Sequence, residues 1–478
     1  MRPIAADVVT LAGVLDVRAR DTPEALAFGM GEERLGYRAL RDDADRLAAG
    51  LLHRGVAPAD RVAIVLPAGL DLIRLYFAAQ RIGAVPCLFD PSVPAETTAR
   101  RIARIRPRVV LRDLRELAGS HPLPPLAGHP EDVAFLQPTS GTSGEPRAAV
   151  VLQRNALASL QSARALLDPG SHDVLVGWVP PWHDLGLLRF LLGPVYFGVP
   201  CYLVPPAVRT IPQWLTTIGK VRGTITGAPD FAYRLATRLV KQADLSSLRY
   251  ATNGGEPVRW STISTFERLF GLRHVIRPGY GLAEATLGVT CVRAGEAPRC
   301  DERGNVATGR ALEGVQVRVA LDGEILVRGP AVFAGYFDAE QETSEGLRGG
   351  WLHTGDVGNL DAEGNLYVLG RRRAMLKRGG AALAPRELEE AAQLVPGVRI
   401  AAAVGIPPAV GSATEEVVVV VETEQHDIAT LVAEAVERAI GFAPDRVVVQ
   451  PPRTIPRTAN GKIRHSVLRS QLLGRGSA

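Results

Sequence analysis

RVAIVLPAGLDLIRLYFAAQRIGAVPCLFDP, residues 61–91, reads as strand, helix, strand on pattern alone. Residues 61–66 are mostly apolar, with two β-branched valines and an isoleucine, and stop at Pro67; Asp71 is placed to cap a helix reaching about Ile82; residues 84–89 turn apolar again. The alternation recurs at RPRVVLRD (106–113), DVAFLQ (132–137), PCYLVPP (200–206) and VRGTITGAP (221–229), with helical stretches such as 156–167 between. Strands spaced by helices pair in parallel, so the expected fold class is α/β with largely parallel sheets.

The texture changes near residue 300. VQVRVALDGEILVRG (315–329) and GNLDAEGNLYVLGR (358–371) alternate about Asp-Gly and Glu-Gly turns, as hairpins of a β-subdomain do. EEVVVVVET (415–423) and DRVVVQP (445–451) read as strands. Between them residues 427–440 place Ile428, Leu431, Val432, Ala435, Val436 and Ile440 on one helical face. Two units are expected: a large α/β domain over 1–370 and a small α+β domain over 371–478.

The 478 residues carry 55 Lys and Arg against 50 Asp and Glu, a net charge of +5. From Arg371 onward there are 15 basic and 11 acidic residues, so most of the excess lies in the small unit. No basic stripe interleaved with aromatics accompanies it, which argues against nucleic acid and leaves an acidic protein partner as the expectation for that end. Four scattered cysteines, with no C-x-x-C spacing, read as reduced thiols of a cytoplasmic protein. The N-terminus lacks the features of a signal peptide, and the most apolar stretch, LLRFLLGPVYFGVPCYLVPP (187–206), is interrupted by Arg189 and prolines and is expected to be core rather than a membrane span. Only four of the 55 basic residues are lysines: Lys220, Lys241, Lys377 and Lys462. A lysine kept where arginine is the default points to a role for a compact, flexible ammonium.

PTSGTSGEPR (138–147) follows a strand and precedes the helical NALASLQSARALL (155–167). Such a loop can turn backbone N–H groups and hydroxyls toward phosphate oxygens, although it lacks the Walker A pattern; a small-residue linker is the competing reading. Downstream come PPWHDLG (180–186), NGGEPV (253–258), GYGLAEAT (279–286), WLHTGD (351–356), GRRRAMLKRGG (370–380) and RTANGKIR (457–464). In this order over nearly the whole chain, the seven segments resemble the signatures of the adenylate-forming superfamily. WVPPWHDLGLL, APDFAYRL, NGGEPVR and YGLAEAT look most like its fatty acyl-AMP ligases and acyl-CoA synthetases.

The resemblance implies a large domain and a mobile C-terminal domain pivoting at Arg373. The implied activity is ATP-dependent activation of a carboxylic acid, a fatty acid above all, to an acyl-adenylate. Transfer to a phosphopantetheine thiol of acyl carrier protein or coenzyme A would follow. It implies that Thr139, Ser140, Gly141, Thr142, Ser143, Gly144 and Arg147 cradle the phosphates, with arginine at 147 where the family usually has lysine. Asn253, Gly254, Gly255, Glu256, Gly279, Tyr280 and Gly281 would form the base pocket, Tyr280 stacking on adenine. Asp356 and Arg371 would hold the ribose, and Glu284 would ligate Mg²⁺ through its hard oxygens. Lys462 would reach the substrate carboxylate and the α-phosphate, and His183 and Trp182 would border the acyl pocket. Three departures stand out: Ala283 replaces a threonine, Ala374 replaces an acidic residue, and 291–316 lacks an insertion that fatty acyl-AMP ligases commonly carry.

Overall fold

The computed structural model describes residues 4–117, 128–139, 147–378, 381–407, 415–425, 427–457 and 463–475, with backbone alone at 377, 378, 381, 382 and 475. The opening segment folds as its pattern predicts. Arg61–Ile64 pairs in parallel with Val85–Leu88 on one side and Val109–Leu111 on the other, and Leu70–Arg81 is the crossover helix. That helix buries Leu72, Ile73, Leu75, Tyr76 and Phe77 around most of its circumference, because it is packed between layers. Asp71 lies in its first turn; the cap position itself is Gly69.

The main sheet has nine strands. Its order is Arg310–Ala311, Leu287–Cys291, Ile276–Leu282, Tyr250–Asn253, Ile225–Ala228, Leu175–Gly177, Cys201–Leu203, Leu26–Met30 and Glu33–Gly36. The run from Ile276–Leu282 to Leu26–Met30 is parallel, and the edges are antiparallel. One face is covered by the Ile211–Val221, Asp230–Leu239 and Trp260–Leu269 helices through Trp214, Tyr233 and Phe266. The other is covered by 185–197, where Phe190, Leu191 and Phe197 are buried. The α/β class is therefore correct, and the apolar run 187–206 is core. Among the described residues no helix is long and apolar enough to cross a membrane.

Sequence reading missed one feature of that run. Leu185–Leu192 is a π-helix, started by the Asp184 carboxylate accepting from the Leu185 N–H at 2.8 Å. The wider coil passes over the Pro180–Pro181 backbone, where a Cβ on Gly186 would stand 1.9 Å from the Pro180 carbonyl oxygen. Only glycine fits at 186.

Residues 316–371 form an antiparallel sheet, with Gln316–Val319 against Glu324–Arg328 and Trp351–Leu360 against Leu366–Arg371, the two hairpins expected. Beyond it, Ile400–Ile406, Glu416–Glu422 and Arg446–Gln450 make a separate sheet. Alternate residues of Glu416–Glu422 serve two cores: Val417, Val419 and Val421 meet Leu388, Val432 and Val436, while Val418 and Val420 meet Leu468 and Leu472. Within the 429–440 helix, Leu431 departs from the expected face and is 54% exposed, because the inward stripe narrows to Val432 and Val436.

Candidate active site

The carboxyl ends of parallel strands, and the loops leaving them, form the crevice where α/β proteins bind ligands. Asn253 closes the Tyr250–Asn253 strand, and Gly279–Leu282 extends the next one. The sheet around Asp356 approaches from across this crevice, and the two halves meet in a chain of polar contacts.

The Tyr280 hydroxyl donates to Asp356 Oδ2 at 2.7 Å, and Arg371 Nε pairs with Asp356 Oδ1 at 2.9 Å. Asp356 and Arg371 are brought opposite each other by the Trp351–Leu360/Leu366–Arg371 pairing. Arg371 also donates to the Thr354 carbonyl at 3.1 Å. Burial holds the Asp356 carboxyl above the ordinary aspartate range, against the opposing pull of Arg371 and Tyr280. The Asp356 carboxylate is thus a fixed acceptor pair, 5% exposed, suited to two neighbouring hydroxyls.

Glu284 sits one turn further on, in the short helix Ala283–Ala285. Its Oε1 accepts from the Tyr336 hydroxyl at 2.7 Å, and the Arg147 guanidinium lies over the Tyr336 ring, 4.4 Å from its centroid. Burial, and then the Glu284 carboxylate, push the Tyr336 phenol well above its usual range. Arg147 Nε is buried with no hydrogen-bond partner. Arg147, Tyr336, Glu284, Asp356, Arg371 and Tyr280 therefore form one connected cluster, since Glu284 acts on the Asp356 charge and Arg371 on Tyr336. Sequence reading missed Tyr336. It belongs to no spaced motif and reaches the site only because Gly335–Tyr336 pairs with Ala149 and Val150, beside Arg147.

The glycines leave room for close backbone approach. A Cβ on Gly254 would lie 2.7 Å from the Gly279 carbonyl oxygen, and one on Gly281 would lie 1.7 Å from that of Leu287. Gly255 has φ +79°, which favours glycine. Two residues of the expected base pocket also make supporting contacts. The Glu256 carboxylate accepts from the Phe231 N–H at 2.6 Å, at the start of the Asp230–Leu239 helix. Fully buried Asn253 donates to Asp230 Oδ1 at 3.1 Å, leaving its own Oδ1 without a partner. Asp230 also accepts from the Arg259 N–H and the Thr262 hydroxyl, so it braces the whole 253–262 loop.

His183 is exposed on the turn before the π-helix. Its neighbour Trp182 receives a hydrogen bond on its carbonyl from Gln137 at 2.9 Å and packs against the core. Near this turn opens a small, mostly apolar cleft between Gly69, Leu72 and Ile73 on one side and Gly177, Val179, Pro181, Phe190 and Leu191 on the other.

Thr139 and Arg147 are closed on each other by a Thr139 N–H to Arg147 carbonyl bond at 2.7 Å, between antiparallel strands Val133–Pro138 and Ala148–Leu152. The expected strand–loop–helix is thus a hairpin whose second strand leads to the Gln153–Leu167 helix. Ser140, Gly141, Thr142, Ser143, Gly144 and Lys462 lie outside the described residues, as do Gly379 and Gly380.

A single carboxylate suffices for Mg²⁺ at a nucleotide, since the ion keeps waters and takes its remaining ligands from phosphate oxygens. Glu284 matches that donor set; no group of three or more His, Cys, Asp or Glu able to hold a metal occurs among the described residues. The crevice, the acceptor pair at Asp356 and the basic-acidic pair Arg147 and Glu284 define an adenylate-forming, acyl-activating class of protein. The chain belongs to the AMP-binding enzyme family, whose model matches residues 15–124 and 113–337.

Among its relatives is a feruloyl-CoA synthase of Amycolatopsis, 32% identical over 482 residues that cover 93% of this chain and 96% of the relative. A medium-chain-fatty-acid–[acyl-carrier-protein] ligase, TtuA of Teredinibacter turnerae, is 28% identical over 72% of this chain and 63% of its own length. In fold, the chain matches a structure from a study of fatty acyl-adenylate ligases of E. coli and L. pneumophila. The TM-score is 0.86 at 24% identity, and all of both chains is covered.

Proposed function

We propose that this protein uses ATP and Mg²⁺ to convert a carboxylic acid, of fatty-acid class, into an acyl-adenylate with release of pyrophosphate. It then passes the acyl group to the phosphopantetheine thiol of an acyl carrier protein. The observation that carries this reading is the single cluster joining Arg147, Tyr336, Glu284, Asp356, Arg371 and Tyr280. Asp356 accepts the ribose hydroxyls, Tyr280 lies against adenine, and Gly254, Gly255, Gly279 and Gly281 let the base approach the backbone. Arg147, with Thr139 and the 140–144 loop, balances phosphate charge.

Mg²⁺ held by Glu284 would neutralise oxygens of the departing pyrophosphate. Lys462 brings a mobile cation to the attacking carboxylate and the α-phosphate, where two anions must meet. The apolar cleft beside Phe190 takes the acyl body, and His183 borders its mouth.

The small unit supplies Lys462, which makes 1–370 and 371–478 the working halves, hinged at Arg373. No strand after Leu376 pairs with one before Arg371 among the described residues. Contact between the halves is polar: Arg386 donates to the Val258 carbonyl at 2.6 Å, and Arg259 meets Glu390 at 3.3 Å. Such an interface suits relative motion.

A second reading keeps the adenylation and makes coenzyme A the acceptor. It is supported by the feruloyl-CoA synthase relative, which matches nearly end to end. The test is a panel of acids assayed for pyrophosphate release, then for thioester formed on coenzyme A and on holo-carrier protein. Thioester on the carrier alone supports the first reading; thioester on coenzyme A alone supports the second; no acid-dependent pyrophosphate overturns both.

A further inference from the structure

Between the π-helix and the main sheet lies an unusual set of buried groups. Arg189, 5% exposed, has neither Nε nor Nη1 hydrogen-bonded. The titratable groups close enough to act on its charge are the Tyr250 phenol and the Cys291 thiol, with no carboxylate among them, and burial pulls its pKa down. Arg277, 3% exposed, donates through Nη1 to the Glu296 carbonyl and has Glu267 and Glu296 near its charge, but its Nε is unpartnered and it lies over the same Tyr250 ring at 6.0 Å. Thr252 pairs in register with Arg277 on the neighbouring strand, and its buried hydroxyl is also unpartnered. Tyr250 is already engaged with Cys291 Sγ at 3.1 Å and the Val292 carbonyl at 3.3 Å.

Three polar side chains, each more than nine-tenths buried, thus leave hydrogen-bonding atoms unused on one patch of sheet. An uncompensated buried cation is among the most costly arrangements a fold can keep, and an apolar residue of similar volume would usually be no less stable.

The position of this patch tells what it serves. Phe190, next to Arg189, lines the apolar cleft. Its ring covers the strand glycines: a Cβ on Gly177 would stand 2.9 Å from Phe190 Cβ, and one on Gly227 3.5 Å from Phe190 Cζ and 3.2 Å from Thr252 Cβ. The Phe190 ring therefore stands between the cleft and Thr252, the member of the patch nearest to it. That patch lies one residue below Asn253 on its strand and two below Gly279, deeper than the crevice edge.

We infer that the acyl pocket has a cationic floor and that the acid it takes carries a second anionic oxygen group, a carboxylate, at the end remote from the reacting one. This rests on the acyl-activating reading above. Phe190 swings aside to admit the far carboxylate, which receives Arg189, Arg277 and Thr252 as donors. The apolar lining between Leu72 and Leu191 holds the hydrocarbon body. A chain ending in a methyl group would leave the floor unpaired, and a site built to bind a polar group discriminates strongly against analogues lacking it.

The test compares decanoate with decanedioate in ATP-dependent pyrophosphate release, for the parent, Arg189→Met and Thr252→Val. The parent should favour decanedioate by about tenfold or more in kcat/KM, and both variants should lower that ratio, Arg189→Met to below one. A parallel thermal-shift titration with each acid alone reads binding whether or not turnover occurs. Decanedioate should raise the parent's midpoint and leave that of Arg189→Met unmoved. Turnover of neither acid together with that shift would remove the activation reading and keep the cationic floor. A preference for decanoate, unchanged in both variants, would overturn the inference. So would chloride or sulfate stabilising the parent but not Arg189→Met with no difference between the acids, since the guanidinium would then serve an inorganic ion.

Discussion

Replacing Tyr336 by phenylalanine removes one atom from the centre of the site. The lost hydroxyl donates to Glu284 Oε1 at 2.7 Å, a hydrogen bond to a charged group, while the ring under Arg147 stays. Hydrogen bonds to charged groups contribute about 1.5–3 kcal/mol, and partial exposure of both partners places this one near the lower end, about 1.5 kcal/mol. Glu284 then loses its orienting partner. If its carboxylate holds Mg²⁺ at the phosphates, pyrophosphate release should fall about tenfold, the equivalent of about 1.4 kcal/mol, mostly as a higher requirement for Mg²⁺. Tyr336→Leu should cost about 1 kcal/mol more, because the Arg147 stacking goes too. The assays are urea unfolding and initial rates against Mg²⁺, run as a double-mutant cycle with Glu284→Gln. A coupling of about 1 kcal/mol between the two sites is expected; additivity within about 0.3 kcal/mol would show that the contact orients nothing, and would refute the reasoning.

Three further outcomes are expected. Lys462→Ala should slow acid-dependent pyrophosphate release by about 10²–10³-fold with little change in unfolding midpoint, and a rate equal to the parent's would remove Lys462 from the chemistry. Asp356 is raised on folding by burial, so its protonated form favours the fold. That contribution is complete below the unfolded value of about 3.9 and lost as pH rises through the folded value. Asp356→Asn should therefore gain stability relative to the parent between pH 4 and 7 while losing affinity for AMP, and a stability difference flat across that range in urea unfolding would contradict it. Finally, Arg372 pairs with Asp322 at 2.8 Å and Glu324 at 3.3 Å, tying the start of the small unit to the large one. Arg372→Glu with Lys377→Glu should slow loading of an acidic carrier at low salt more than pyrophosphate release; equal slowing would count against a docking role for the basic run.

Much of this was legible in sequence because it is local. The 61–91 unit, the two Asp-Gly and Glu-Gly hairpins and the valine strand 416–422 follow from periodicity and turn residues. Glu284, Asp356, Tyr280 and Arg371, which the fold brings into one cluster, each lie in a short spaced motif. What stayed hidden depends on pairing between distant segments. Tyr336 reaches Glu284 only through a two-residue strand beside Ala149, and Asp230 becomes a brace only when the 253–262 loop folds over it. The π-helix could not be told from an ordinary helix by its apolar run, since it follows from the passage of Pro180–Pro181 beneath Gly186. Glu256 accepts from the Phe231 N–H because a buried helix start needs acceptors, and Asn253 donates to the Asp230 carboxylate; neither contact can be read from the 253–258 motif, since the partners lie more than twenty residues away.

The most direct measurement is exchange of labelled pyrophosphate into ATP, run with and without a panel of mono- and dicarboxylic acids. The account requires exchange only when an acid is present, with AMP as the nucleotide product and exchange abolished in Lys462→Ala. ATP cleaved to ADP, or no exchange with any acid while ATP still binds, would contradict it.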